Sequence, residues 1–95
     1  MNILPLGSIV TLKNAKKEKK FMIVVRNAIL TLEGIKGYTD YAACFYPVGV
    51  EGNLHYFNQE NIKEVLFIGY IDDVEKEYQS WYLTREINYP KLQFN

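Results

Sequence analysis

As far as Tyr70 the apolar residues come in short blocks separated by turn formers, which predicts strands rather than helices. Pro5 and Gly7 punctuate the start. Ser8-Ile9-Val10-Thr11-Leu12-Lys13 predicts a strand with Val10 and Leu12 on one face and Ile9 and Thr11 on the other. A polar, lysine-rich loop runs from Asn14 to Lys20. Phe21-Met22-Ile23-Val24-Val25 is continuously apolar, which predicts a strand covered on both faces, and Asn27 to Leu32 either continues it or forms the next. Gly34 and Gly37 bracket a predicted turn. Tyr38 to Tyr46 predicts a strand stopped by Pro47 and Gly49, in which the small pair Ala42-Ala43 permits close packing. Gly52-Asn53 predicts a turn and Leu54 to Phe57 a short strand. Asn58 is placed to cap one helical turn over Gln59 to Lys63, and Glu64 to Tyr70 predicts the last strand.

From Asp72 the period changes. Asp72 is a helix cap with Glu75 at capping-box spacing, and Asp73 suits the positive helix end. Val74, Tyr78, Trp81 and Tyr82 recur at helical spacing as one apolar stripe, and Asn88 and Pro90 stop the helix. The expected fold is all-β to α+β: a small antiparallel β-barrel or curved sheet over residues 4–70, then a C-terminal amphipathic helix over about 72–88. The 95 residues suit a single domain, 1–95. The stripe requires a cover, either the chain's own sheet or a partner.

Composition narrows the function classes. Aromatics make up 15% of the chain, with eight tyrosines, which suits a β-rich fold and also an interface. Net charge is zero, so nothing pulls the whole molecule toward nucleic acid or an anionic membrane. The charge is unevenly spread. Residues 1–37 carry seven Lys/Arg against two Asp/Glu, and residues 38–95 carry four against nine, giving +5 and −5. That asymmetry suits a charged partner or a homo-oligomer. The lone Cys44 excludes an internal disulfide and a cysteine-built metal cluster. No apolar run reaches the ~18 residues of a membrane span, and the first residues lack a signal-peptide pattern, so the expected location is the cytoplasm.

Catalytic chemistry finds little support. His55 is the only histidine, and a Cys44–His55 nucleophilic pair would need a third, orienting group. Cys44 lies mid-strand, where cysteine acts as a small apolar residue. Asp72, Asp73, Glu75 and Glu77 are read as helix N-terminal residues, and no ligand spacing or phosphate-binding glycine motif is present. The expectation is a non-enzymatic chain with no cofactor and no metal. The loop lysines Lys16, Lys17, Lys19 and Lys20 allow a second class, a single-stranded nucleic-acid-binding small β-barrel. Scarce arginine (Arg26 and Arg85) and the acidic second half argue against it.

Leu4-Pro5-Leu6-Gly7-Ser8-Ile9-Val10-Thr11-Leu12-Lys13 and Lys20-Phe21-Met22-Ile23-Val24-Val25-Arg26 resemble the opening of a small Firmicutes domain family of unknown function. Tyr38-Thr39-Asp40-Tyr41-Ala42-Ala43-Cys44-Phe45-Tyr46-Pro47 resembles its tyrosine-rich Cys-x-Tyr-Pro segment. Tyr56-Phe57-Asn58-Gln59-Glu60-Asn61-Ile62 with Val65-Leu66-Phe67-Ile68-Gly69-Tyr70 resembles its phenylalanine-asparagine turn and terminal strand. The resemblance covers about residues 4–78, with Asn27 to Lys36 lacking a clear counterpart. Members lie near type VII secretion (ESX) genes and LXG-type toxins, and the family brings no catalytic residues. The resemblance implies a protein-binding adaptor or chaperone for a toxin or a small helical secretion protein, with a toxin immunity protein as the alternative. Val74, Tyr78, Trp81 and Tyr82 are the expected contact surface. Tyr82-Leu83-Thr84-Arg85-Glu86 and Tyr56-Phe57-Asn58-Gln59-Glu60 both fit the Tyr-x-x-x-acid secretion pattern, but eight tyrosines and eleven acids make such spacings expected by chance.

Overall fold

The structure, a computed structural model, describes residues 3–93. Five strands form one antiparallel sheet: β1 (Ile9–Leu12), β2 (Lys20–Leu32), β3 (Ile35–Tyr46), β4 (His55–Phe57) and β5 (Ile62–Phe67), in the order β4-β3-β2-β1-β5. A 3-10 turn, Gln59–Asn61, precedes β5, and helix α1 spans Asp73–Thr84. The fold is therefore α+β and mostly β. The sheet is open rather than a closed barrel, because β4 and β5 lie at opposite edges.

Asn27 to Leu32 continues β2. The turn is the two-residue Glu33-Gly34, with φ of 52° and 80°, the positive values that a tight hairpin with the native strand twist requires. Gly37 belongs to β3 rather than to the turn. A Cβ there would lie 2.6 Å from both the Leu92 side chain and the Pro90 carbonyl oxygen, so only glycine lets the C-terminal segment lie against β3. That segment is held by Tyr38 N–H donating to Pro90 O (3.0 Å) and Leu92 N–H donating to Tyr38 O (2.8 Å).

One irregularity in β2 sets the rest of the architecture. Ile23 pairs with Ala43 but Val25 pairs with Ala42, so β2 carries one extra residue at Val24. A one-residue slip exchanges the two faces of every following side chain. Phe21 and Ile23 face the core before the slip. After it Arg26, opposite Tyr41, takes the core side.

The core packs one sheet face: Val10, Phe21, Ile23, Tyr41, Ala43 and Phe57, covered by Ile3 and Leu4 and by Tyr82 from α1, with Tyr78 against its rim. Val10 and Leu12 share this face as expected. The helix ends at Thr84, short of the expected 88. Arg85 ends it: the guanidinium stacks 3.3 Å from the Tyr82 ring centre and donates to the Tyr82 carbonyl, filling an acceptor that a further turn would use.

Candidate functional site

The stripe expected on α1 is split by the fold. Tyr82 is buried and Tyr78 is half-buried, while Val74 and Trp81 remain 73% and 52% exposed. The ring of Tyr78 joins the two sets, lying 5.4 Å from that of Trp81 and 6.2 Å from that of Tyr82.

Beside the exposed set opens a cleft of about 440 Å3. Leu6 and Tyr70 form one wall, Asp72, Val74 and Tyr78 the other, and Arg26 with Glu75 the floor. Gly69 brings the Tyr70 wall close, since its N–H donates to Ser8 Oγ at 3.0 Å and a Cβ there would strike the Leu6 carbonyl. Tyr70 itself is 80% exposed.

The floor is an ion pair. Arg26 Nη1 lies 2.6 Å from Glu75 Oε2, and the two side chains are only 7% and 10% exposed. The guanidinium stacks 4.0 Å from the Tyr78 ring centre, and Gln79 donates to the same carboxylate oxygen at 2.9 Å. Asp72 caps the helix by accepting from Glu75 N–H at 2.9 Å. The capping box is half made, because the Glu75 carboxylate turns to Arg26 instead of back to the cap. Burial alone would raise the pKa of Glu75, but the hydrogen bonds from Arg26 and Gln79 outweigh it and hold the carboxyl below its ordinary value of 4.5. A folded-state value below the unfolded one stabilises the fold above the ordinary value, and that contribution is lost as pH falls through the folded one. Acid titration of unfolding free energy should therefore be shallower below pH 4.5 in a Glu75→Gln variant than in the wild type.

A second polar cluster ties the C-terminal segment to the sheet. Tyr41 Oη accepts from Leu4 N–H (2.9 Å) and donates to Gln59 Oε1 (2.5 Å). Burial pushes its pKa up to about 12, so it stays a donor. Asp40 Oδ2 accepts from Gln59 N–H (2.9 Å) and pairs with Lys91 (3.1 Å). Burial alone would lower the Lys91 pKa, but Asp40 and Glu60 together raise it.

The structure keeps the remaining candidates apart. Ala43 pairs with His55, so Cys44, the next residue of β3, faces the opposite side of the sheet from His55. His55 packs against the rings of Phe21 and Phe45, which also touch each other. Lys16, Lys17, Lys19 and Lys20 are exposed at the β1–β2 loop, with Lys19 over the Phe45 ring at 5.1 Å. Neither Tyr-x-x-x-acid match forms an exposed helical face: Tyr56 lies on β4, and Glu86 lies beyond the helix that holds buried Tyr82. Among the described residues no group of three or more His, Cys, Asp or Glu could hold a metal ion, and no helix is long and apolar enough to cross a membrane. Nothing in the hydrophobic pattern points to Leu6, Tyr70 or the Arg26–Glu75 floor as parts of one site. The signal for the floor was a lone arginine closing an apolar block.

An open antiparallel sheet, one docked helix and an apolar cleft over a satisfied ion pair define a small α+β domain. Its candidate site is a cleft with exposed apolar walls over a buried ion pair. The chain belongs to the family described as Domain of unknown function (DUF4176), whose model matches residues 3–78, all five strands and the first half of α1. No curated protein and no solved structure matches it.

Proposed function

We propose that this chain is a non-enzymatic accessory factor that binds a protein partner through the Leu6–Tyr70–Val74 cleft and the adjoining Trp81. The setting implied by the family resemblance is type VII secretion, with the chain as adaptor or chaperone of an LXG-type toxin. The exposed apolar walls of the cleft carry this reading. Large apolar side chains left in water around a concave site mark a surface awaiting a partner. The groove between the Leu6–Tyr70 wall and α1 suits an amphipathic helix, whose apolar side chains would seat between Tyr70 and Val74.

The test is binding of purified chain to the helical N-terminal region of the toxin and, separately, to its toxic C-terminal domain. Val74→Asp and Trp81→Ala alter exposed positions and should leave the circular dichroism spectrum unchanged. Each should weaken N-terminal-region binding at least ~10-fold, the usual effect of losing one anchoring side chain. Tyr82 is buried and unsuited to the test. Binding only to the toxic domain, with protection of cells, would make the chain an immunity protein. Binding only to single-stranded nucleic acid, falling steeply with salt, would move the site to the Lys16–Lys20 loop.

A further inference from the structure

Strand β4 pairs with β3 only at Tyr41 to Ala43, so β4 leaves the same edge of β3 uncovered toward Ile35. The C-terminal tail, Pro90 to Leu92, fills that place. Lys91 makes a parallel bridge to Tyr38, with the two backbone hydrogen bonds from Tyr38 N–H and Leu92 N–H. The Leu92 side chain is buried above Gly37, and Asn58 Nδ2 donates to Leu92 O at 2.6 Å. Lys91 Nζ lies 3.1 Å from both Asp40 Oδ2 and Glu60 Oε1. Lys13 also acts on Glu60, but Lys91 is the cation within ion-pair distance of both carboxylates. The seat thus takes a backbone carbonyl, a cation and an aliphatic side chain from the tail. Extended peptides are read at sheet edges in the same way, with main-chain bonds for affinity and side-chain pockets for specificity.

The occupant is less firmly built than its seat. Residues 85–90, between the end of α1 and the bridge, form no helix or strand. A segment held by so few backbone bonds opens at low cost. Gly37, Tyr38, Asp40, Asn58 and Glu60 lie within residues 3–78, the part that the family model matches, and the tail lies outside it. A tail that lifts leaves the Asn58 amide without its acceptor and Asp40 and Glu60 without their cation. An incoming strand with the same groups restores every one of these contacts. We propose that this seat is a peptide-docking site for an extended partner segment in which a lysine precedes a leucine-like residue. The chain's own tail is its cis occupant and holds it closed until such a segment displaces it. None of the seat residues lines the cleft beside α1, so occupancy of the seat does not depend on a toxin binding there.

The test is fluorescence anisotropy with the full-length chain and a labelled peptide of residues 86–93. Lys91→Glu combined with Leu92→Asp sets one carboxylate against Asp40 and Glu60 and another above Gly37, which unseats the tail. This chain should bind the peptide at least ~10-fold more tightly than wild type, whose own tail competes at a high effective concentration. Adding Gly37→Ala should abolish that binding, because the new Cβ takes the space of the Leu92 side chain. A peptide with glutamate in place of its lysine should not bind. An unseated chain that binds the peptide no better than wild type overturns the proposal. So does binding that survives Gly37→Ala or the loss of the peptide's lysine. Should the double variant lose its circular dichroism spectrum, Lys91→Glu alone, a change at a part-exposed position, repeats the comparison. Loss of the fold in both would make the tail an integral part of the domain and overturn the proposal equally.

Discussion

Arg26→Ala should lower the unfolding free energy by about 3–5 kcal/mol, the cost of leaving one member of a buried ion pair without its partner. Three interactions are lost together. The Glu75 carboxylate loses its cation at 2.6 Å, Tyr78 loses the guanidinium on its ring, and Leu4 O loses a long hydrogen bond at 3.5 Å. Gln79 remains on Glu75 but cannot neutralise it. For a domain with about 5–15 kcal/mol of stability the loss is large. It should fall first on the helix, since Arg26 and Glu75 join α1 directly to β2. Limited proteolysis within 73–84 should then accelerate more than cleavage in the strands. Arg26→Lys keeps the charge but not the planar stack, and should fall between the two. A cycle with Glu75→Gln decides the cause. If the pair matters as a pair, the double variant loses clearly less than the sum of the single ones. Strict additivity would assign the loss to the Tyr78 and Leu4 contacts.

The strands were legible because turn residues divide the apolar blocks at Gly7, Gly34, Pro47 and Gly52. The bulge at Val24 was not, because Phe21 to Val25 are all apolar. A continuous run hides a one-residue slip that an alternating strand would expose as a polar residue out of phase. Arg26 therefore looks like the end of a block in the sequence, whereas the slip turns it into the core face. Gly37 failed in the opposite way. A glycine in a polar stretch reads as a turn, and only the tail brought across by the fold reveals its role as a close-approach site. Asn88 and Pro90 set the latest residue the helix can reach, whereas Arg85 ends it earlier. For the site, helical spacing put Val74, Tyr78, Trp81 and Tyr82 together, but that stripe is wider than one contact face. The sheet takes Tyr82 and half of Tyr78, and water keeps Val74 and Trp81. Exposure of Val65 to Ile68 could not be read at all, since an edge strand and a buried one share the same apolar pattern.

Asn58→Leu should cost about 2–6 kcal/mol although leucine has a similar volume, because the penalty comes from two polar groups left behind at ~1–3 kcal/mol each. Asn58 is fully buried between β4 and the 3-10 turn. Its Oδ1 accepts from Asp40 N–H at 3.0 Å and its Nδ2 donates to Leu92 O at 2.6 Å. A leucine side chain satisfies neither. The Asp40 amide lies inside the sheet and the Leu92 carbonyl under the tail, where water does not replace the lost partner. The backbone N–H of Asn58 still donates to Asn61 Oδ1, so the turn itself survives. The two orphaned groups separate by shortening the chain. In a chain ending at Tyr89 the Leu92 carbonyl is gone, and Asn58 has only Asp40 to satisfy. Denaturant unfolding of both backgrounds should then show the Asn58→Leu loss roughly halved in the shorter chain. An equal loss would mean that Asn58 braces β3 alone, and that the tail is held by Tyr38, Lys91 and the space above Gly37.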